Sequence, residues 1–163
     1  MRNFNYCKYT YIHRKIIMAL VEKYIKDEKI KEEMIKRAKV HDLDKMTSYL
    51  FYDKSTCSKL HRENSSHHLG NNLKKEYLDY LEMILDWESA RYSKSDKPLN
   101  AYQTLYAYYI QYEDKILPIL KEYKLDSTNI KMDNDILELA KRLENEVTSN
   151  LILEDIKENL KDF

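Results

Sequence analysis

The scarcity of glycine and proline is the feature that most restricts the fold of this chain. One glycine and two prolines occur in 163 residues. Folds rich in β-strands need frequent tight turns, and glycine and proline are residues that supply them. The sequence therefore favours long helices joined by few connections. Because a chain of this length can bury a core of its own, we predict one all-α domain over residues 1–163, a helical bundle of six or seven helices.

Apolar residues recur at helical spacing along most of the chain. The predicted core faces are Ile12, Ile16, Leu20 and Tyr24; Ile30, Met34 and Ala38; Tyr77, Leu81, Ile84, Leu85 and Glu88; Ile136, Leu139, Leu143 and Val147; and Leu151 or Ile152 with Ile156 and Leu160. Residues 99–123 are predicted to form one long helix that Pro118 kinks or divides, capped by Ser95 or Asn100. The polar stretch 51–72 is predicted to be a loop with room for a short helix.

Charge, cysteine content and hydropathy exclude several classes of protein. Lys and Arg number 28, as do Asp and Glu, so the basic excess typical of proteins that bind duplex nucleic acid is absent. No apolar stretch approaches the roughly 20 residues that span a bilayer, and the first residues lack the apolar core of a signal peptide. Cys7 and Cys57 are far apart in sequence, which suits a reducing cytoplasm. The apolar C-terminal helices offer a surface for a homodimer.

The histidines are concentrated in the first part of the sequence. All five precede residue 69, and three of them fall in the stretch HRENSSHH at 61–68. Another begins the stretch HDLDK at 41–45, and Asp86 lies within an apolar helical face. A carboxylate that points into a core is costly unless it is paired or bound to a metal. The alternatives are an Asp86 at the edge of that face and a solvated polar loop at 61–68.

The chemistry of these side chains favours a transition metal. Imidazole nitrogens together with carboxylate oxygens suit Fe, Mn, Zn, Co or Ni better than Ca. One aspartate can bridge two such ions, and two ions about 3.5–4 Å apart can activate a water and polarise a phosphoryl group. The sequence therefore predicts one or two divalent transition metals as the cofactor.

The order His13, then His41-Asp42, then Asp86 resembles the HD superfamily of metal-dependent phosphohydrolases. The longer pattern of HDLDK, HRENSSHH and LDWESAR is similar to a group of small HD-like proteins of bacteria and phages that is catalogued as a domain of unknown function. The resemblance covers residues 13 to 91, while the C-terminal helices within 100–163 are similar only in being helical. It implies an HD-domain-like helical bundle.

The resemblance also implies roles for individual residues. One metal would be held by His13, His41, Asp42 and Asp86. Asp42 would bridge to a second metal, which would be completed by His61 and by either His67 or His68; the sequence leaves that choice open. Asp42 and Lys45 would be catalytic, and the residues expected to bind the substrate are Lys45, Asn64 and Arg91. Arg91 has an alternative role as an ion-pair partner of Glu88 on the helix surface.

The function that follows is a cytoplasmic phosphohydrolase in which a metal-activated water attacks a small phosphoester, with a nucleotide as the favoured substrate. Two alternatives remain open from the sequence. The same ligand order occurs in HD-fold diiron oxygenases, and a non-catalytic bundle could use a metal to bind a nucleotide or a protein. The tyrosines of residues 102–112 are predicted to pack in the fold, with a base-stacking platform as the alternative.

Overall fold

The computed structural model describes residue 1 and residues 3–162, so residues 2 and 163 of the predicted domain lie outside it. The all-α prediction is confirmed for this part of the chain. Its helices are α1 (Phe4–Tyr24), α2 (Glu28–Val40), α3 (Leu43–Ser48), α4 (Lys54–Asn64), α5 (Tyr77–Ser93), α6 (Ala101–Tyr108), α7 (Glu113–Glu122), α8 (Asn134–Glu146) and α9 (Ser149–Asn159). Short 3₁₀ turns cover Ile110–Tyr112 and Leu160–Asp162.

Helix α1 is the centre of the bundle. It packs against α2, α3, α5, α8 and α9. Ile16 and Leu20 of its predicted face are fully buried and Ile12 nearly so, while Tyr24 is half-buried. Because a helix surrounded by others buries more than one stripe, α1 also buries Ile17 and Val21. The bundle is therefore organised around the helix that carries His13.

The predicted long helix over residues 99–123 is divided, and the prediction that Pro118 divides it is wrong. Pro118 lies inside α7, and the chain leaves helical geometry earlier, at Tyr109, with φ of −136° and ψ of 27°. The Tyr109 ring stacks on Trp87 of α5 at a centroid distance of 4.9 Å and an interplanar angle of 5°. Packing between helices thus accompanies a break that local propensity did not indicate.

Helix α4 occupies much of the stretch predicted to be a loop. Asp53 caps its N-terminus, accepting hydrogen bonds from the backbone N–H groups of Ser55 and Thr56, as short polar side chains do at helix starts. The chain stays irregular from residue 65 to residue 76. The break in the predicted long helix and the short helix α3 bring the number of helices above the predicted six or seven.

Buried charged side chains connect several of the helices. Arg14 of α1 pairs with Asp155 of α9 and donates to the backbone carbonyl of Lys39 near the end of α2. Glu88 of α5 accepts from the backbone N–H of Ala101 at 2.9 Å, at the start of α6. In the described part of the chain, no helix is both long enough and apolar enough to cross a membrane.

Candidate metal centre

The five histidines come from separate segments of the chain and meet in one cluster. His13 lies in the middle of α1, His41 ends α2, His61 lies in the last turn of α4, and His67 and His68 follow it in the irregular connection to α5. Neighbouring rings are close: centroid distances are 5.5 Å for His13–His41, 4.3 Å for His41–His67, 4.8 Å for His61–His68 and 4.5 Å for His67–His68. The histidines that are concentrated in the first part of the sequence are therefore also close to one another in the folded protein.

Asp42 stands at a sharp turn between α2 and α3. Its φ of 56° is in the left-handed region, which costs a residue other than glycine about 1–3 kcal/mol and which aspartate tolerates better than most. The turn points the carboxylate into the histidine cluster, where it is nearly fully buried. Lys45, one turn later on α3, pairs with Oδ2 of this carboxylate. The other oxygen, Oδ1, is left to face the histidines.

Oδ1 of Asp42 is the point on which the histidine Nε2 atoms converge. His61 Nε2 lies 2.7 Å from it, His67 Nε2 lies 3.6 Å away and His41 Nε2 lies 3.7 Å away. Although the first of these distances is short, the two atoms do not have the geometry of a hydrogen bond. Several lone-pair donors that crowd one point without bonding to each other are arranged as ligands of a common cation.

Five of these buried polar atoms have no hydrogen-bond partner among the described residues. They are Asp42 Oδ1 and the Nε2 atoms of His41, His61, His67 and His68. A buried polar atom without a partner costs about 1–3 kcal/mol, and native folds leave few of them. So many in one cluster fit a bound metal ion, which would satisfy them together.

The opposite nitrogens of three histidines are held in place. Nδ1 of His13 is 2.9 Å from Ser89 Oγ, Nδ1 of His41 is 2.8 Å from Glu82 Oε1, and Nδ1 of His61 is 2.9 Å from Asp44 Oδ2. Histidines that bind metals usually donate their second ring N–H to such a partner, which fixes the ring and its tautomer. The arrangement directs Nε2 of each of these rings toward the centre of the cluster.

Helix α5 supplies Asp86 and its supporting groups from one face. Asp86 Oδ1 is 2.8 Å from His13 Nε2 and 3.9 Å from His41 Nε2. Glu82 and Ser89 are separated from Asp86 by four and three residues, so the three side chains lie on the same side of the helix. The Asp86 side chain is 19% exposed, and its Oδ1 atom contacts His13.

Three groups of residues in this cluster could hold a metal ion. The groups are Asp42, His61, His67 and His68; His13, His41 and Asp42; and His41, His67 and Asp86. Within each group, the ligand atoms lie within 4.8 Å of one another. All seven residues predicted as ligands are included, and both His67 and His68 belong to the first group. The choice between these two histidines therefore remains open.

The carboxylates of the cluster are held in their charged form. Burial opposes the charge on Asp42, but Lys45 and His41 outweigh it and hold the pKa of this carboxyl well below its usual value. Burial likewise opposes the charge on Asp86, and the hydrogen bond with His13 outweighs it and lowers the pKa. Deprotonated carboxylates are the form that binds metal cations.

Two of the histidines differ in protonation. Burial lowers the pKa of His68 to about 3, so its imidazole is neutral and can act as a ligand at neutral pH. Burial also disfavours the charge on His61, but the nearby carboxylates of Asp42 and Asp44 outweigh it and raise its pKa to about 9. A metal that binds His61 must therefore displace a proton from it.

Three supporting residues were not anticipated from the sequence: Glu82, Asp44 and Ser89. A signal existed for each. Glu82 precedes Asp86 by four residues, Ser89 follows it by three, and Asp44 is inside HDLDK itself. Glu82 is further anchored by Arg37 of α2, whose Nη1 lies 3.3 Å from its carboxylate. Helical spacing would have placed the first two on the ligand face once Asp86 was taken as a ligand.

The expectation that Arg91 leans over the site is not met. Its guanidinium binds Glu88 Oε1 at 2.6 and 2.9 Å and the backbone carbonyl of Ile130 at 2.8 Å. Five residues of helix correspond to a rotation of about 500°, which turns Arg91 about 140° away from Asp86. The alternative ion pair with Glu88 is observed, but the two side chains are largely buried and do not lie on the helix surface as expected.

Asn64 and Lys45 remain near the centre. Asn64 donates to the Leu60 carbonyl and lines a cavity of about 670 Å³ beside His41, Asp42, His61 and His67. That volume is within the usual range for small-ligand sites. Lys45 is 17% exposed and is the cation closest to the Asp42 carboxylate.

Comparisons with known proteins found no match. No family model matches the chain, and neither does any curated protein or solved structure.

Glu82→Gln is expected to weaken metal binding by about 10–100-fold, the usual cost of losing a group that orients a metal-binding histidine. Glu82 holds His41 Nδ1 at 2.8 Å and lies 3.4 Å from His67 Nδ1, so the change loosens two rings while leaving every predicted ligand present. Competition titration against a metal-sensitive dye measures the effect. Glu138→Gln, at an exposed position of α8, is the matched control, and equal affinities for the two variants would contradict the role of Glu82.

Proposed function

We propose that this protein is a metal-dependent phosphohydrolase that cleaves a small phosphoester. The observation that supports it most directly is the convergence of four unpartnered histidine Nε2 atoms and Asp42 Oδ1 on one buried centre. The three candidate ligand groups share residues, and together these residues would hold one or two divalent ions. Bound divalent metals supply an activated water and neutralise charge on a phosphoryl group.

The residues of the chain would prepare the site for this reaction. Asp42 stays ionised, and Lys45 neutralises its Oδ2 atom while keeping part of its own side chain exposed. When a substrate binds, the same ammonium group is placed to stabilise the negative charge that develops on a transferred phosphoryl group. Glu82, Asp44 and Ser89 keep the imidazoles oriented, so that little reorganisation is needed during the reaction.

The position of the Lys45 ammonium group favours an anionic substrate. Lys45 is an ammonium beside the ligand centre, and phosphate groups are bound by lysine as a point charge. The histidine and carboxylate set alone suits a diiron oxygenase equally well, whereas an ammonium group beside that set matches the negative charge of a phosphoryl group. The lysine is therefore the feature that favours phosphoester hydrolysis.

The test is metal analysis of the purified full-length protein, followed by a phosphoester panel after chelation and addition of Mn, Fe, Co, Ni or Zn. We expect at least one divalent ion per chain and turnover that is lost on chelation and restored by a metal. A coloured iron protein that consumes oxygen with a substrate would contradict the proposal in favour of an oxygenase. Metal without turnover of any member of the panel would favour a non-catalytic binding protein.

A further inference from the structure

A second cavity lies one helical turn from the candidate metal centre. Its volume is about 260 Å³, and its walls include Trp87, Ala90, Asp96, Lys97, Tyr108 and Tyr109. This is smaller than the sites that enclose a whole drug-sized ligand, so it suits one flat portion of a larger molecule. None of the predicted ligand residues lines it, and the proposed reaction does not use it.

Helix α5 connects this cavity to the metal centre. Trp87 and Ala90 follow Asp86 by one and four residues, which places them about 100° and 40° around the helix from it. Ala90 is about 6 Å further along the axis. The cavity therefore lies on the flank of the helix face that carries Asp86, within the length of a small phosphorylated molecule.

The walls of the cavity are aromatic and partly open to solvent. Trp87 and Tyr109 stack nearly parallel at 4.9 Å, and Tyr108 beside them is 67% exposed. An exposed aromatic side chain next to a stacked pair provides a surface on which a planar ring can lie. Stacking on aromatic side chains is how many proteins hold a nucleobase.

Lysines occupy the space between the cavity and the metal centre. Lys94 lies over the Tyr9 ring at 4.2 Å, and the Tyr9 ring stacks on His13 at 5.5 Å. Lys97 lines the cavity itself. In the part of the chain that the structure describes, no carboxylate lies within ion-pair distance of either lysine. These two ammonium groups are therefore available for an anion.

Several ammonium groups of this region oppose the charge on Lys94. Burial lowers the pKa of Lys94, and Lys45 lowers it further, followed by Lys54 and Lys97, while Asp96 opposes them. By contrast, the cavity of about 670 Å³ beside His41, His61 and His67 is lined by the carboxylates of Asp42, Asp44 and Glu82 and by the guanidinium of Arg37. The second cavity has the carboxylate of Asp96 and the ammonium of Lys97 on its wall, with Lys94 nearby, so its surroundings are the more positive of the two and suit phosphate better.

We propose that the cavity at Trp87, Tyr108 and Tyr109 holds the base of a nucleotide, with Lys94 and Lys97 binding a phosphate between the base and the metal centre. This rests on the proposed function, since it assigns a substrate class to the same site. The ligand class is a nucleotide with a second phosphate beyond the one that reacts. Base and phosphate would be recognised by separate groups of the chain.

Trp87 is the one tryptophan of the sequence, so its fluorescence reports on this cavity. In full-length protein loaded with zinc, adenosine diphosphate is expected to change the Trp87 emission in a saturable manner. Ribose 5-phosphate and inorganic pyrophosphate, which lack a base, are expected to leave it unchanged. Equal responses to the nucleotide and to pyrophosphate, or no response to the nucleotide, would overturn the proposal.

Single substitutions test the binding of the base and the binding of the phosphate separately. Tyr108→Ala is expected to raise the Kd for adenosine diphosphate about tenfold, the usual effect of losing one stacking partner, while the control Tyr106→Ala leaves it unchanged. Lys97→Ala is expected to raise the Kd for adenosine diphosphate about fivefold and to leave the Kd for adenosine unchanged. Lys121→Ala on α7 is the control. If Tyr108→Ala binds as tightly as the unchanged protein, the base is held elsewhere and the assignment is wrong.

The experiment distinguishes this proposal from the proposed function. A Tyr108-dependent nucleotide response in a protein that hydrolyses no phosphoester would support the base site and contradict the hydrolase. Metal-dependent hydrolysis of base-free phosphoesters as fast as nucleotides, with no change in Trp87 emission, would support the hydrolase and contradict the base site.

Discussion

Asp42→Ala is expected to reduce metal content to background and, with it, any phosphoester hydrolysis. Asp42 Oδ1 lies within 3.7 Å of the Nε2 atoms of His41, His61 and His67, and two of the three candidate ligand groups include Asp42. The loss of metal affinity should be larger than the loss of about 10–100-fold that follows when only a supporting hydrogen bond is removed. Elemental analysis of the purified variant measures metal content, and the panel of phosphoesters measures activity.

Controls separate loss of the ligand from loss of the fold. Asp42→Asn keeps the shape of the side chain, and circular dichroism should show unchanged helix content in both variants. Asp126→Ala removes an exposed aspartate from the connection between α7 and α8 and should retain full metal content. A folded Asp42→Ala protein with the same metal content as the Asp126→Ala protein would show that Asp42 is not a ligand.

Arg14→Ala is expected to lower the free energy of unfolding by about 3–5 kcal/mol, the range seen when one partner of a buried ion pair is removed. Arg14 is 1% exposed, pairs with buried Asp155 on α9 and donates to the Lys39 carbonyl. Without it, the ion-pair partner left to Asp155 among the described residues is Lys15, at 3.2 Å, which should place the loss near the lower end of the range. Urea denaturation followed by circular dichroism measures the change.

The matched control is Arg142→Ala. Arg142 pairs with Glu146 at 3.9 Å on the surface of α8, and both side chains are at least 60% exposed. Such pairs contribute little, so the change should be within about 0.5 kcal/mol. A loss of less than about 1 kcal/mol for Arg14→Ala would show that the buried pair is not what holds α1, α2 and α9 together.

Most helices could be predicted from the sequence because their signals are local. The apolar spacing of Ile12, Ile16 and Leu20 located α1, and that of Leu81, Ile84 and Leu85 located α5. A cap was also readable: Asn100, one of the two candidates predicted with Ser95, caps α6. These features depend on residues at most four positions apart, where propensity and hydrogen bonding act directly.

The features that the sequence misplaced or left open have different causes. The break at Tyr109 accompanies its stacking on Trp87 of a different helix, which no pattern within residues 99–123 could reveal. The pairing of Arg91 with Glu88 was one of two alternatives, and the helix rotation between Asp86 and Arg91 decided it. Helix α4 was obscured by its polar composition, since most of its residues face solvent and only Cys57 and His61 are buried.

The residue types of the candidate site were set by the sequence alone. Five histidines before residue 69, the stretch HDLDK and an aspartate inside an apolar helical face were sufficient to predict a site for transition metals. Helical spacing could also have supplied Glu82 and Ser89. Their supporting role became visible only from their distances to His41 Nδ1 and His13 Nδ1.

The sequence by itself determined an all-α chain and the set of side chains able to bind a metal, because helix periodicity and ligand chemistry are properties of residue types. Only the tertiary structure decided which atoms meet. The packing of α5 against α1 brings Asp86 to His13, and the left-handed turn at Asp42 aims Oδ1 at three histidines. Such meetings depend on how helices far apart in the chain pack, and that is fixed by the burial of the whole core rather than by any local pattern.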